Sequence, residues 1–116
     1  MLETWRWFGP DDPVTCLDIR QAGADGIVTA LHACPPGETW KPEDIAARKA
    51  FIEAEGLQWS VVESIPVHPA IKLGDNRAEK HIDGWIETMR NLAANGLEVI
   101  CYNFMPVVDW TRTDLR

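Results

Sequence analysis

The stretch of sequence that decides the fold is Glu98-Val-Ile-Cys-Tyr-Asn-Phe-Met-Pro-Val-Val-Asp-Trp-Thr-Arg-Thr113. It opens with a short apolar run, Val99 to Cys101, which is typical of a strand covered on both faces. Pro106 then ends regular pairing, because proline has no N–H to donate to a neighbouring strand. The residues that follow are rich in hydrogen-bonding side chains. A buried strand that runs into a polar loop is typical of ligand sites in α/β proteins.

The same succession of strand, polar loop and helix occurs three times earlier in the chain. Each helical pattern ends at a glycine that suits a left-handed cap. A repeated strand–helix unit predicts a parallel sheet with helices between successive strands. The four predicted strands lie near Leu2–Phe8, Gly26–Leu31, Leu57–Glu63 and Val99–Asn103.

Capping patterns predict where the three expected helices begin. The first would be capped by Asp12 or by Thr15, and the third by Asn76, with Glu79 three residues later. The third helix also has the clearest apolar face. That face would contain Ile82, Trp85, Ile86, Met89, Leu92 and Ala93.

Two architectures fit this pattern, a doubly wound sheet and a (β/α)8 barrel. No Gly-x-Gly-x-x-Gly motif follows the first strand, which argues against a doubly wound sheet that binds a nucleotide. A complete barrel takes ~250 residues, whereas this chain has 116. We therefore expect one domain, residues 1–116, that forms about the first three and a half βα units of a TIM barrel. Its helices would cover one face, and two sheet edges would be exposed.

The amino-acid composition of the chain limits which kinds of partner it can bind. The chain has 18 acidic and 11 basic residues and a net charge of −7, which argues against nucleic acid or an anionic membrane as the main partner. No apolar stretch approaches the ~20 residues that span a bilayer. The three cysteines are far apart, so neither a disulfide framework nor a Cys-x-x-Cys metal site is indicated. A reduced cytoplasm is the natural location.

The candidate site residues lie at or just beyond the ends of the predicted strands. In a barrel these ends converge on one face, where a small polyhydroxylated or acidic molecule can bind. The predicted substrate-binding residues are Arg6, Trp7, His32, Glu63, His68 and Asn103. No local spacing such as His-x-x-x-His supports a metal site, so no metal is assigned to these residues.

The candidates also have structural alternatives. His32 can merely be hydrogen-bonded to a loop carbonyl, and Asn103 can bond a neighbouring strand. Arg6 can instead pair with Glu3 or Asp11, and Glu63 can be an ion-pair partner within the barrel. His68 can simply brace its loop, and His81 is expected on a solvated helix face. Among the tryptophans, Trp59 and Trp85 are expected in the core, and Trp7 and Trp110 in a pocket wall.

Several segments resemble the D-mannonate dehydratase family. They are Thr4–Val14, Gly26–His32, Pro35–Glu38, Trp59–His68, Cys101–Val107 and Asp109–Thr113. The resemblance implies a xylose-isomerase-like barrel that removes water from D-mannonate to give 2-keto-3-deoxy-D-gluconate in hexuronate breakdown. It also implies a homo-oligomer that uses Mn²⁺ or Fe²⁺, with metal ligands and catalytic groups beyond residue 116. Ala33 departs from the family, which often has a second histidine there.

The resemblance also implies roles for the candidate residues. Arg6 would meet the substrate carboxylate, while His32, Glu63 and Asn103 would hold hydroxyl groups. The segment by itself would then form a substrate-binding wall and be inactive. A non-catalytic sugar-acid binding or assembly module remains the alternative.

Overall fold

Four parallel strands form one sheet in the computed structural model, which describes residues 1–105. The strands follow one another in chain order, each hydrogen-bonded to the next. Their bounds are β1 Thr4–Arg6, β2 Gly26–Thr29, β3 Gln58–Glu63 and β4 Ile100–Cys101. The helices are α1 Cys16–Gln21, α2 Pro42–Ala54, α3 Pro69–Leu73 and α4 Ala78–Ala94. This confirms the predicted parallel order, which agrees with the first part of a (β/α)8 barrel.

One hydrophobic core lies between the sheet and the helices. Alternate residues of a strand point to opposite faces, and a register shift in the pairing of β2 with β3 puts Val62 on the same side as Trp59. Ile27, Trp59 and Val62 therefore all turn to the side of the helices. Ile19 of α1, Ile52 of α2 and Leu92 of α4 complete the core, each with at most 1% of its surface exposed. These three helices therefore cover one face of the sheet, and the opposite face carries the strands' other residues.

The helix starts agree with the sequence in one case and differ in another. Thr15 caps α1 in a reciprocal capping box with Asp18, as predicted. Asn76 does not cap α4, because that helix begins after Arg77 and has no side-chain cap. The Asp75 carboxylate instead accepts hydrogen bonds from the Arg77 backbone N–H and guanidinium, which closes this turn.

A fourth helix, α3, lies between β3 and α4, in addition to the three helices that the sequence predicts. His68 caps it through Nδ1, which accepts a hydrogen bond of 3.0 Å from the Ala70 N–H. Pro69 occupies the first turn, and Gly74 ends the helix with φ of +65°. Histidine is not among the usual capping residues, so the pattern gave no signal for a helix of only five residues.

The fourth strand is shorter and more exposed than predicted. Val99 is 52% exposed, and Cys101 is also exposed, so the run is not covered on both faces within residues 1–105. The apolar face of α4 is likewise only partly covered, since Ile82 is 41% exposed. As expected, this edge of the sheet presents apolar side chains to solvent, including Tyr102 and Phe104.

Helix α4 holds the segment that precedes α2. The Thr88 hydroxyl accepts a hydrogen bond of 3.1 Å from the Trp40 N–H, and the Asn91 amide donates to the Trp40 carbonyl at 2.8 Å. Thr88 and Trp40 are both buried. None of the helices within residues 1–105 has the length and apolar character needed to cross a membrane.

We expect Thr88→Val to lower the free energy of unfolding by about 1–3 kcal/mol, because the buried Trp40 N–H would lose its acceptor. Urea unfolding of the two proteins measures the difference. Glu87→Gln, on the next position of the same helix but exposed, should leave stability nearly unchanged. A loss equal to that of Glu87→Gln would contradict the role of the Thr88 hydroxyl.

Candidate functional site

The face of the sheet opposite the helices, called the open face below, carries an ion pair. The pair joins β1 to β3 across the intervening strand β2. Arg6 Nη1 of β1 lies 2.8 Å from Glu63 Oε1 of β3, and both side chains are roughly half-exposed. Arg6 therefore pairs with Glu63 and not with Glu3 or Asp11. The Arg6 Nε atom is buried and has no hydrogen-bond partner among the described residues. The guanidinium also lies 4.8 Å above the Phe8 ring.

His32 stands beside this pair, after the end of β2. Its ring is 6.1 Å from the Phe8 ring, centroid to centroid. Loss of hydration, followed by the positive charges of Arg6 and Arg48, lowers the pKa of His32 below its usual value. The imidazole is therefore neutral near pH 7. A neutral imidazole can both donate and accept a hydrogen bond.

Trp7 does not share the open face with Arg6, and it borders a cavity on the helix side of the sheet instead. Its ring is 2% exposed and stacks on Phe51 of α2, with centroids 5.7 Å apart. The reason is strand alternation: Arg6 faces the open side, so Trp7 turns to the helices. Its carbonyl accepts a 2.6 Å hydrogen bond from the buried Thr29 hydroxyl, which joins the ends of β1 and β2.

His68 packs against His81 of α4, and their rings are stacked with centroids 3.7 Å apart. Both histidines border a small cavity with Trp40 and Trp85. His81 was expected on a solvated helix face, but the loop after β3 brings the His68 ring against the His81 ring. The peptide bond between Glu63 and Ser64 in that loop is cis.

Asn103 lies two residues beyond β4, on a separate cleft of about 630 Å³. Ser64, Pro66 and Met105 also border this cleft. Among the six predicted residues, the structure brings together Arg6, His32 and Glu63. His68 and Asn103 follow the ends of β3 and β4 but have different neighbours. The predicted pocket-wall residue Trp110 lies outside the described residues.

Sequence reasoning missed Arg48, a half-buried cation of α2. Its guanidinium lies 5.4 Å from the centroid of the Trp7 ring, and Nη1 donates a 2.9 Å hydrogen bond to the Ala30 carbonyl. The sequence did contain one signal that Arg48 faces the sheet. Arg48 lies three residues after Ile45, on the side of α2 that also bears the buried Ile52. Arginine at such a position brings a charge to the layer between helix and sheet.

The described residues do not fit the Mn²⁺ or Fe²⁺ that the resemblance implies. Residues 1–105 contain no group of three His, Cys, Asp or Glu side chains placed to hold a metal ion. His68 and His81 do not form one, since their rings are stacked face to face and His68 Nδ1 already accepts from Ala70. No step of the chemistry is therefore assigned to a metal on these residues.

The paired histidines predict a pH dependence of stability. Loss of hydration, then His81 and Arg77, lowers the pKa of His68, while Asp75 opposes them. The folded state thus binds fewer protons than the unfolded state between the lowered pKa and the usual value of about 6.5. Stability consequently rises with pH through that window and falls as the pH drops below about 6.5.

We expect His68→Asn to reduce this pH dependence, because asparagine keeps a side-chain acceptor for Ala70 but carries no titrating proton. Urea unfolding at about pH 7.5 and about pH 5 measures it. The wild-type protein should lose more stability between these two conditions than the variant does. Equal losses would show that His68 does not carry the effect.

Comparisons with known proteins agree with the geometry of the sheet. A sequence model of the D-mannonate dehydratase (UxuA) family matches residues 1–116. The chain is 64% identical over 115 residues to a mannonate dehydratase of Chromohalobacter salexigens, and 60% identical over 116 residues to mannonate dehydratase 2 of Agrobacterium fabrum. These matches cover 99% and 100% of this chain, and 29% of each relative.

A solved structure shows the same arrangement of the backbone. The crystal structure of mannonate dehydratase from Streptococcus suis serotype 2 superimposes with a TM-score of 0.94 at 46% identity. The match covers 99% of this chain and 33% of that one. The chain thus spans less than a third of the curated relatives it matches. It belongs to the D-mannonate dehydratase family.

Proposed function

We propose that this chain forms the substrate-binding part of a hydro-lyase that converts D-mannonate to 2-keto-3-deoxy-D-gluconate in glucuronate catabolism. The observation that carries the proposal is the family match over residues 1–116. The cluster of Arg6, His32 and Glu63 on the open face supports it, because this cluster has the charge and hydrogen-bonding groups that a sugar acid requires.

Arg6 is the group suited to the substrate carboxylate. A guanidinium binds a carboxylate through two parallel hydrogen bonds, and Arg6 Nε has no partner among the described residues. Glu63 is close enough to Arg6 to accept from it in the free protein. On binding, the substrate carboxylate would share Arg6, and Glu63 would be able to accept from a sugar hydroxyl.

His32 and Asn103 would contact the remaining hydroxyl groups. A neutral His32 has one ring nitrogen that donates and one that accepts, so it can serve a hydroxyl in either direction. The Asn103 amide has the same double capacity. Dehydration also needs a base for the proton next to the carboxylate and an acid for the departing hydroxyl. We assign neither role to a residue of this segment.

Cofactor, location and assembly also belong to the proposal. We propose Mn²⁺ or Fe²⁺ with ligands outside the described residues, a cytoplasmic location and a homo-oligomer. The structure forms no disulfide among Cys16, Cys34 and Cys101. Free cysteines support a reducing compartment. Apolar side chains are exposed at the β4 edge. Because exposed apolar patches often mark contact surfaces, they support contact of this edge with further polypeptide.

The test uses the full-length protein that carries this segment, with D-mannonate and Mn²⁺ or Fe²⁺, and detects the 2-keto-3-deoxy product. We expect turnover by the full-length protein and none by the 116-residue chain. Binding of D-mannonate by the full-length protein without turnover would favour the non-catalytic binding module. Turnover by the 116-residue chain alone would mean that the catalytic groups lie within it.

A further inference from the structure

Arg48 is a charge in the layer between α2 and the sheet. It is half-buried, and loss of hydration lowers the pKa of its guanidinium from the usual value. No carboxylate among the described residues lies within ion-pair distance of it. An unpaired, partly desolvated cation lowers stability compared with a neutral side chain of similar size. The Trp7 ring offsets part of this cost, because the guanidinium lies over it in a cation–π contact.

Arg48 contacts the ends of two neighbouring strands, since its guanidinium lies over the Trp7 ring just after β1 and its hydrogen bond leads to the end of β2. Nη1 donates to the carbonyl of Ala30, two residues before His32. On its other side lies Gly9, whose φ is +98°. A Cβ atom on Gly9 would lie 3.6 Å from Arg48 Nη1 and 3.4 Å from His32 Nδ1. The Gly9 backbone therefore lies against both side chains and keeps them close.

We propose that Arg48 is a positioning residue for His32: its hydrogen bond to the Ala30 carbonyl holds the end of β2, and its guanidinium places a positive charge beside the imidazole, across Gly9. This inference rests on the proposed function for its effect on catalysis. The charged groups near His32 are Arg6 from β1, which is paired with Glu63 of β3, Asp12 from the loop before α1, and Arg48 from α2. Arg48 is thus the cation near His32 that has no carboxylate partner among the described residues and that the substrate carboxylate would not engage.

Three variants of the full-length protein test the two parts of this role. Arg48→Gln removes the charge but keeps an amide donor for the Ala30 carbonyl. Arg48→Lys keeps the charge. Lys49→Gln is the matched control, because it removes a positive charge from the adjacent position of α2, where Lys49 lies near Glu53.

The first measurement is the pH profile of kcat/KM for D-mannonate. Loss of the neighbouring cation raises the pKa of His32, so the neutral imidazole forms only at higher pH. We expect the acidic limb to move to higher pH in Arg48→Gln. It should stay close to that of wild type in Arg48→Lys and Lys49→Gln. An unmoved limb in Arg48→Gln would overturn the proposal.

The second measurement does not depend on activity. An NMR titration of the His32 imidazole in each variant should show the same shift, and only in Arg48→Gln. If the wild-type protein does not turn over D-mannonate, the proposed function fails while the titration still tests Arg48. If Arg48→Gln does not fold, an Arg48→Met titration replaces it, and an unshifted His32 in a folded, uncharged variant overturns the inference.

Discussion

Arg6→Met in the full-length protein should lower kcat/KM for D-mannonate by about 10- to 100-fold. The Arg6 guanidinium lies on the open face with an unpartnered Nε, and the substrate carboxylate would lose its charged donor. A hydrogen bond to a charged group contributes about 1.5–3 kcal/mol, which corresponds to a change of this size. Methionine has an unbranched apolar side chain but no charge and no donor, so it removes only the guanidinium that lies over the Phe8 ring. Steady-state kinetics at saturating and limiting D-mannonate measures the effect.

The control for Arg6 must separate substrate binding from loss of the Arg6–Glu63 pair. Glu63→Gln breaks that pair but leaves the guanidinium in place, so it should cost less than Arg6→Met. Glu3→Gln removes a carboxylate from the exposed residue that precedes β1 and should change kcat/KM little. Wild-type kinetics in Arg6→Met would exclude Arg6 from the site, even though the family membership would stand.

Trp59→Ala should lower the free energy of unfolding by about 3–5 kcal/mol. Trp59 is 3% exposed near the start of β3, and its Nε1 donates a 3.0 Å hydrogen bond to the Val61 carbonyl. Truncation would open a cavity between the sheet and the helices and would leave that carbonyl without its donor. Denaturant unfolding followed by circular dichroism measures the loss.

Two substitutions bound the effect of Trp59→Ala. Trp5→Ala removes a ring of the same size from β1, where it is 47% exposed, and should cost about 1 kcal/mol or less. Trp59→Phe keeps most of the buried volume and should fall between the two. A cost for Trp59→Ala no larger than for Trp5→Ala would mean that the sheet and helices do not pack as described.

The edge of the sheet at β4 exposes apolar side chains, and the relatives contain additional chain that this segment does not match. Tyr102 and Phe104 are 61% and 52% exposed, and Trp85 has a buried Nε1 without a partner among the described residues. Apolar groups at a sheet edge are normally covered by the next strand and helix. The matched relatives are more than three times as long as the matched segment, so their additional chain is available to cover such an edge.

The order and direction of the strands followed from the sequence alone. Short apolar runs, glycines at helix ends and the Thr15 capping pattern are local signals, and each acts within a few residues. Four such units in succession leave few ways to connect them, since crossovers between parallel strands are right-handed. The alternation of residues within β1 would also have separated Arg6 from Trp7, had it been applied to that pair.

Tertiary structure decided which side chains meet. Arg6 and Glu63 are 57 positions apart, and they pair because β1 and β3 lie on either side of β2. The stacking of His68 on His81 depends on a loop that folds back onto α4, and the contact of Arg48 with Ala30 depends on how α2 packs on the sheet. Exposure of Val99 and Cys101 likewise depends on what lies beside β4. These outcomes depend on contacts between distant segments, for which a single sequence carries no local signal.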